Sequence, residues 1–222
     1  MPDLSLSPSL PESELTPNPF TLFERWYGEA LSFDRDANAM ALATVDEDGN
    51  PEARMVLMRG LETGPAFEGR EAIVFYTNYE SDKARALEAN PRCAALFYWG
   101  KLEGHPQATA FGARQVRISG RAERVEAAVS DAYFAERPRL SQFGAWASPQ
   151  SRPIRSREVL LTKVAEAVQR FGQAPVPRPP FWGGYRIVAD RVEVWRSHEG
   201  RLHDRFVYRR ADSGWTMTRL AP

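Results

Sequence analysis

The run AMALATVDEDGNPEARMVLMRG, residues 39–60, places two alternating apolar segments on either side of an Asp-Gly step. Alternation with period two marks strands with one buried face, and an Asp-Gly step between two such runs is a strong hairpin signal. A chain that starts its sheet with a tight hairpin is committed there to antiparallel pairing, because parallel neighbours need a long crossover. The pattern then recurs. AIVFYTN (residues 72–78), RCAALFYW (92–99) and RQVRISGRAERV (114–125) are further β-rich runs. The C-terminal part, from FWGGYRIVADRVEVWRS through RFVYRR to WTMTRL, reads as a meander with turns at Ala189-Asp190 and Ser213-Gly214.

Helical spacing appears between these strands. PFTLFERWYGEALS carries Phe20, Leu22, Phe23, Trp26 and Leu31 on one face. SDKARALEAN has a Ser N-cap and ends where Asn90-Pro91 forbids continuation. EAAVSDAYFAER breaks at Pro138 and PRLSQFGAWAS follows, then SREVLLTKVAEAVQRFG closes at Gly172. Helices inserted among antiparallel strands, without β-α-β alternation, predict an α+β protein, mainly antiparallel β, built on a barrel. Residues 1–18, rich in Pro, Ser and Glu, read as a flexible arm, and residues 19–222 as one domain. GKLEGHPQATAFGA, residues 100–113, reads as a long loop.

Composition enters as a set of exclusions. With 29 basic against 29 acidic residues, no global field draws nucleic acid or an anionic membrane, so any anion recognition is local. No apolar run is long enough for a membrane span, and the N-terminus lacks the layout of a secretory signal. The single cysteine, Cys93, excludes an intramolecular disulfide, suits a reducing cytoplasm, and sits in an apolar run that predicts a buried thiol. His105, His198 and His203 show no metal-ligand spacing. Neither a Gly-rich nucleotide loop nor a G-x-S-x-G elbow is present.

Three polar sets remain. Arg54 and Arg59 bracket a strand, while Tyr76 and Thr77 end another just before the helix start that carries Ser81 and Lys83. Free amides and positive charge converge at such a start, which suits a phosphate, although each residue alone is equally an ordinary cap or a solvated charge. The second set is Tyr133, Arg137, Arg139 and Ser141, and the third is HEGRLHDRF with Trp195 before it. Arginine binds anions bidentately and histidine moves protons near neutral pH, so several separate cationic corners fit two anionic ligands better than one.

Taken together, RPRLSQFGAWASPQS, FWGGYRI, RLHDRF and the terminal RLAP resemble the signature runs of the pyridoxamine 5′-phosphate oxidase family. PFTLFERW, MALATVDEDGNPEARMVL, FYTNYES and NPRCAALFYW fall in the family's order, so the resemblance spans residues 19–222. It implies an FMN-binding split β-barrel with flanking helices, working as a homodimer with flavins at the interface. On that resemblance Arg54, Met55, Val56, Leu57, Met58 and Arg59 line FMN, and Arg59 also reaches the substrate. Tyr76, Thr77 and Lys83 hold the FMN phosphate with Gln115 beside the flavin, and Gln150, Ser151, Trp195 and Arg205 come from the partner chain. Tyr133, Arg137 and Ser141 match the substrate-phosphate group, and Arg201, Leu202 and His203 the residues at the pyridine ring, with Arg201 and His203 catalytic. The implied reaction oxidises pyridoxine or pyridoxamine 5′-phosphate with dioxygen and releases hydrogen peroxide. Asp204, between Arg201, His203 and Arg205, reads as their internal counter-ion.

Four departures stand out, among them a loop at Gly104–Ala113 longer than the family's usual one and an N-terminal arm without the Arg and Tyr that close over the active site in some members. Arg59 replaces the family's usual lysine, and Asp82 places an acid where a basic residue is common beside the flavin phosphate. Asp82 would weaken that site unless it points to solvent. These changes give some weight to a related flavin oxidase acting on another ring, of the phenazine-pathway type. A non-catalytic FMN- or pyridoxal-phosphate-binding protein is the alternative from another class, and the presence of Arg201 and His203 argues against it.

Overall fold

The computed structural model describes residues 10–100 and 113–222. The predicted loop at 100–113 therefore lies almost wholly outside the described residues. The predicted hairpin is there: β1 (Ala39–Val45) pairs β2 (Pro51–Leu57) antiparallel, with Val45 opposite Pro51. Its turn is built by Asp46, whose carboxylate accepts from the N–H groups of Asp48 and Asn50, and by Gly49 at φ +87°. Behind it run β3 (Gly60–Glu62), β4 (Ala72–Asn78), β5 (Arg92–Trp99), β6 (Arg114–Arg124), β7 (Trp182–Arg196), β8 (Asp204–Ala211) and β9 (Gly214–Arg219). Their order is β2-β1-β5-β6-β7-β4-β3, with β8 and β9 branching from β7, and every strand pair among the described residues is antiparallel.

β7 organises this sheet. Its first half (182–188) pairs β4 and its second half (191–196) pairs β8, while β6 runs along its other edge. The turn expected at Ala189-Asp190 is instead a bulge inside this one strand, where Ser119 faces Arg191 and Gly120 faces Ala189. A Cβ on Gly120 would lie 1.9 Å from the Val188 carbonyl oxygen, so only glycine permits the approach. The extra residue shifts the parity of the core face: Tyr185, Ile187 and Ala189 point inward before it, Val192 and Val194 after it. The sheet curls around this strand, which pairs β4 before the bulge and β8 after it. On its far side the Arg59 N–H donates to the Val74 carbonyl of β4.

Helix α1 (Pro19–Leu31) is capped by Asn18, whose side chain accepts from Phe20 N–H, and Pro19 fills the first position. It buries Phe20, Leu22, Phe23, Trp26 and Ala30 in the barrel core, whereas Leu31, expected on that face, is exposed. α2 (Asp82–Ala89) follows β4, and Cys93 lies in the core beside it, where burial pushes its thiol up to about 12. α3 (Ala127–Glu136), α4 (Arg139–Ala147) and α5 (Arg157–Phe171) share a smaller core of Phe134, Phe143, Ala167, Val176 and Trp182. Arg139 serves that packing, donating to the carbonyls of Gly172 and Ala174 past the end of α5.

The second half of the expected arm is not loose. Leu10 is buried in the main core and donates its N–H to Asp204, and residues 12–14 form a short helical turn. Residues 1–9 lie outside the described residues. No described helix is long and apolar enough to cross a membrane.

Candidate functional site

A cavity of about 590 Å³ opens between β2, the end of β4 and the α3–α4 junction, lined by Met55, Val56, Leu57, Arg59, Tyr76, Thr77, Lys83, Tyr133, Arg137, Ser141 and Gln150 among others. The first two predicted sets thus meet in one space of ordinary ligand size. Strand alternation leaves Met55 and Leu57 as exposed apolar side chains beside it. Met58, expected to line the site, is buried in the core because alternation turns it inward.

At one end, Lys83 Nζ lies 3.2 Å from Thr77 Oγ1, 3.3 Å from Ser81 Oγ and 3.3 Å from Gln150 Oε1. These partners are all neutral. Burial, and then the charge of Arg54, lower the Lys83 pKa against the opposing charge of Asp82. Ser81 does not cap α2 with its side chain; its hydroxyl donates to the Asn78 carbonyl. Asp82 is half-exposed and ion-paired to Arg85, and its charge still acts on Lys83, opposing the lowering of the lysine's pKa. Arg54 donates to Thr44 Oγ1 at 2.7 Å and pairs with Glu52.

Elsewhere in the lining, Arg137 lies over the Trp182 ring at 4.5 Å, with buried Nη1 lacking a hydrogen-bond partner among the described residues. Burial lowers its pKa as well. Tyr76 stacks on Tyr133 with ring centroids 3.9 Å apart, and both lie parallel to Trp182, so aromatic rings wall the space between the two cations. Both cations fit phosphate oxygens, which are strong acceptors. The exposed Met55 and Leu57 suit a planar ring. The residues present therefore fit a flavin phosphate at Lys83 and a second phosphorylated ligand at Arg137.

The remaining predicted residues lie elsewhere on the chain. A separate hollow of about 280 Å³ is lined by Leu96, Gln115, Arg117, Glu193, Trp195, Arg205 and Pro222 and shares no residue with the first cavity. His203 sits beside it, its ring 4.7 Å from that of Trp195, and exposed Arg201 and Leu202 precede it. Gln150 does not join this hollow. It sits in its own chain's Lys83 corner, as does Ser151 beside Arg54, so neither needs a partner chain to reach it. The reason is topological: the α4–α5 connection folds back over the end of β4.

Ser151 (φ 67°) and Arg201 (φ 61°) are the two non-glycine residues with positive φ among the described residues, and both belong to the predicted site. Such backbone costs about 1–2 kcal/mol per residue and concentrates where side chains must be aimed.

The expected role of Asp204 needs correcting. Its carboxylate pairs with His198 and Arg219, not with Arg201, His203 or Arg205. Arg205 is held instead by Glu193, at 2.8 Å, and by the Ala221 carbonyl, at 3.1 Å. Glu193 was not anticipated. It stands two residues before Trp195, on the same face by strand periodicity, and also pairs with Arg117 and Arg191. Trp182 and Glu136, which line the first cavity, were likewise not anticipated.

Residues 28–171 match the family described as "Pyridoxamine 5'-phosphate oxidase", and residues 182–222 match that described as "Pyridoxine 5'-phosphate oxidase C-terminal dimerisation region". A "Pyridoxine/pyridoxamine 5'-phosphate oxidase" of Rubrobacter xylanophilus is 50% identical over 214 residues, covering 96% of this chain and 91% of that one. One of Cupriavidus taiwanensis is 46% identical, covering 96% and 93%. Among solved structures, PhzG from Burkholderia lata 383, in complex with tetrahydrophenazine-1-carboxylic acid, aligns with TM-score 0.82 at 30% identity, over 98% of this chain and 100% of that one. A pyridoxamine 5′-phosphate oxidase-related, FMN binding protein from Nostoc punctiforme shares the fold, with TM-score 0.69 at 17% identity and coverage of 94% and 100%. With both of its halves matched and its relatives aligned along nearly their full length, this chain belongs to the pyridoxine/pyridoxamine 5′-phosphate oxidase family of FMN-dependent oxidoreductases.

Proposed function

We propose that the protein oxidises pyridoxine 5′-phosphate and pyridoxamine 5′-phosphate to pyridoxal 5′-phosphate, as a homodimer whose two sites each combine the cavity of one protomer with the hollow of the other. The observation that carries this reading is the pair of partly buried cations, Lys83 and Arg137, lining one cavity together with the stacked Tyr76, Tyr133 and Trp182 rings. Two phosphorylated ligands meeting there account for both, and the dimerisation region supplies the surface that brings the second half-site.

On this reading Lys83, Thr77 and Ser81 bind the FMN phosphate, Gln150 and Ser151 order that corner, and Met55 to Leu57 support the ring. Arg137, Tyr133 and Ser141 bind the substrate phosphate, supplying binding energy far from the reacting carbon. Arg59, at the cavity mouth, takes the place of a lysine and offers a planar fork in place of a point charge. The partner protomer brings Gln115, Trp195 and Arg205 to the flavin, and Arg201, Leu202 and His203 to the substrate ring. FMN supplies, when bound, acceptance of a hydride from the 4′ carbon and transfer of the electrons to dioxygen, which leaves as hydrogen peroxide; with the amine substrate, water then hydrolyses the resulting imine and ammonia leaves. The chain's own residues orient the 4′ carbon and hold the ring's polar groups.

The test is a visible spectrum of the flavin-loaded protein before and after anaerobic addition of pyridoxine 5′-phosphate. Bleaching, followed on admission of air by recovery with formation of pyridoxal 5′-phosphate, supports the reading. Bound flavin that ignores this substrate but is reduced by a tetrahydrophenazine carboxylate would move the substrate to the class bound by the Burkholderia lata relative.

A further inference from the structure

We propose that His198 and Asp204 form a clasp across the base of the 198–204 loop that positions His203, fixing it in the tautomer with its proton on Nε2. The functional consequence rests on reading His203 as a substrate-facing residue, whereas the clasp itself stands on geometry alone.

Asp204 is 4% exposed and the His198 side chain 7%. The carboxylate takes three hydrogen bonds. Oδ2 accepts from the Leu10 N–H at 2.5 Å and from His198 Nε2 at 2.7 Å, and Oδ1 accepts from Arg219 at 2.7 Å. Burial works to raise this carboxyl, but the hydrogen bonds from Leu10, Arg219 and His198 outweigh it and hold it below the ordinary range. An ionised carboxylate can only accept, so His198 Nε2 donates and the orientation of its ring is set.

The backbone N–H of His198 lies 3.1 Å from His203 Nδ1. A backbone N–H can only donate. His203 must therefore offer the lone pair of Nδ1, and its neutral ring carries hydrogen on Nε2. The Trp195 ring packs against it, so the imidazole is held by one directional bond and one apolar wall. Nε2–H is left as the ring's donor with no partner among the described residues.

The loop gives a reason for a clasp. Gly200 at φ 62° and Arg201 at φ 61° are consecutive left-handed residues, and Leu202 N–H closes a turn onto the Glu199 carbonyl at 3.2 Å. Such backbone persists only where its surroundings over-determine it. His198 and Asp204 flank the strained segment, and their bond ties its two ends together. Through Leu10 and Arg219 the same carboxylate anchors this base to the N-terminal segment and to β9. His198 and Asp204 are thus positioning residues, acting through His203 and Arg201.

Ring ¹⁵N spectra of the flavin-loaded enzyme, labelled at histidine, test the proposal directly. The chain has 3 histidines, and the His203→Ala spectrum assigns the signal in question. The expected result is an Nε2-protonated, Nδ1-bare His203. In His198→Ala the signal should become a tautomer mixture, with kcat down about tenfold and bound FMN retained. His198→Gln, which keeps a donor for Asp204, should restore most of both. A wild-type His203 protonated on Nδ1 would overturn the clasp. So would a His198→Ala protein with an unchanged His203 signal, or one with mixed tautomers and full kcat. Because the spectrum needs no substrate, it stays separate from the functional reading, which fails instead if His203→Ala keeps full turnover.

Discussion

Replacing Lys83 with methionine should move flavin affinity and the stability of the flavin-free protein in opposite directions. The ammonium contacts neutral oxygens of Thr77, Ser81 and Gln150 at 3.2, 3.3 and 3.3 Å, longer than the usual optimum, and has no carboxylate at ion-pair distance among the described residues. Its pKa is lowered, first by burial and then by Arg54, so charging it costs the folded flavin-free protein free energy. That penalty is fully present below the depressed folded pKa and fades as pH rises into the ordinary lysine range. Methionine keeps the apolar stem without the charge, so the flavin-free Lys83→Met protein should be equal to wild type or up to about 1 kcal/mol more stable at neutral pH. The advantage should shrink in alkaline buffer.

FMN binding should change the other way. A hydrogen bond to a charged group contributes about 1.5–3 kcal/mol, which corresponds to a Kd weaker by roughly 10- to 150-fold. Quenching of flavin fluorescence during titration of the flavin-free protein measures the Kd, and urea unfolding measures the stability. A variant with unchanged FMN affinity would refute the assignment of the phosphate to this corner. A variant that loses 1 kcal/mol or more of stability would show that Lys83 is a structural hydrogen-bond donor with its needs already met.

Three further outcomes follow from the same geometry. Gly120→Ala should cost roughly 3 kcal/mol or more, because the new Cβ would meet the Val188 carbonyl oxygen at 1.9 Å; a loss below about 1 kcal/mol in calorimetry would mean the bulge is adjustable. Arg205→Ala should lose FMN during purification, and a fully flavin-loaded, active variant would contradict its place at the flavin. Glu193→Gln should loosen Arg205 and destabilise the protein by about 1–3 kcal/mol at neutral pH, discounted from a fully buried pair because its arginine partners are partly exposed. Burial works to raise the Glu193 carboxyl, but hydrogen bonds from Arg205 and Arg191 and the charge of Arg117 hold it below the ordinary range. Its contribution is thus present above the ordinary carboxylate pKa and lost as pH falls through the depressed one, so the gap between wild type and variant in urea unfolding should close on acidification.

The strands were legible wherever alternation ran unbroken, as in the β1–β2 hairpin and β5, and the helices wherever a cap or a proline fixed an end. Where the reading failed, a non-local contact decides. The Ala189-Asp190 step looks like a turn because the parity of apolar residues breaks there, but a bulge breaks parity too, and only the close approach to Gly120 distinguishes them. Leu10 belongs to the core through a carboxylate 194 positions away in sequence, which no local composition reveals. The three cationic sets stood out as residue types, yet two of them share one cavity while the third lines another hollow. Asp204 was recognised as a counter-ion, but adjacency in sequence suggested the wrong partners. In a strand, neighbouring side chains point to opposite faces, so Arg205 turns to Glu193 while Asp204 turns inward to His198 and Arg219.

The claim on which the account turns is that one active site is assembled from the cavity of one protomer and the hollow of another. Co-expression of Arg137→Ala and His203→Ala chains under separate tags, with isolation of the mixed dimer, measures this directly. Each homodimer should be nearly inactive, because each lacks one half of both sites. In the mixed dimer one site carries both defects and the other carries neither, so oxidation of pyridoxine 5′-phosphate should return to about half the wild-type rate per dimer, as expected for independent sites. A mixed dimer as inactive as its parents would show that the cavity and the hollow serve the same site within one chain, and the composite site would be wrong.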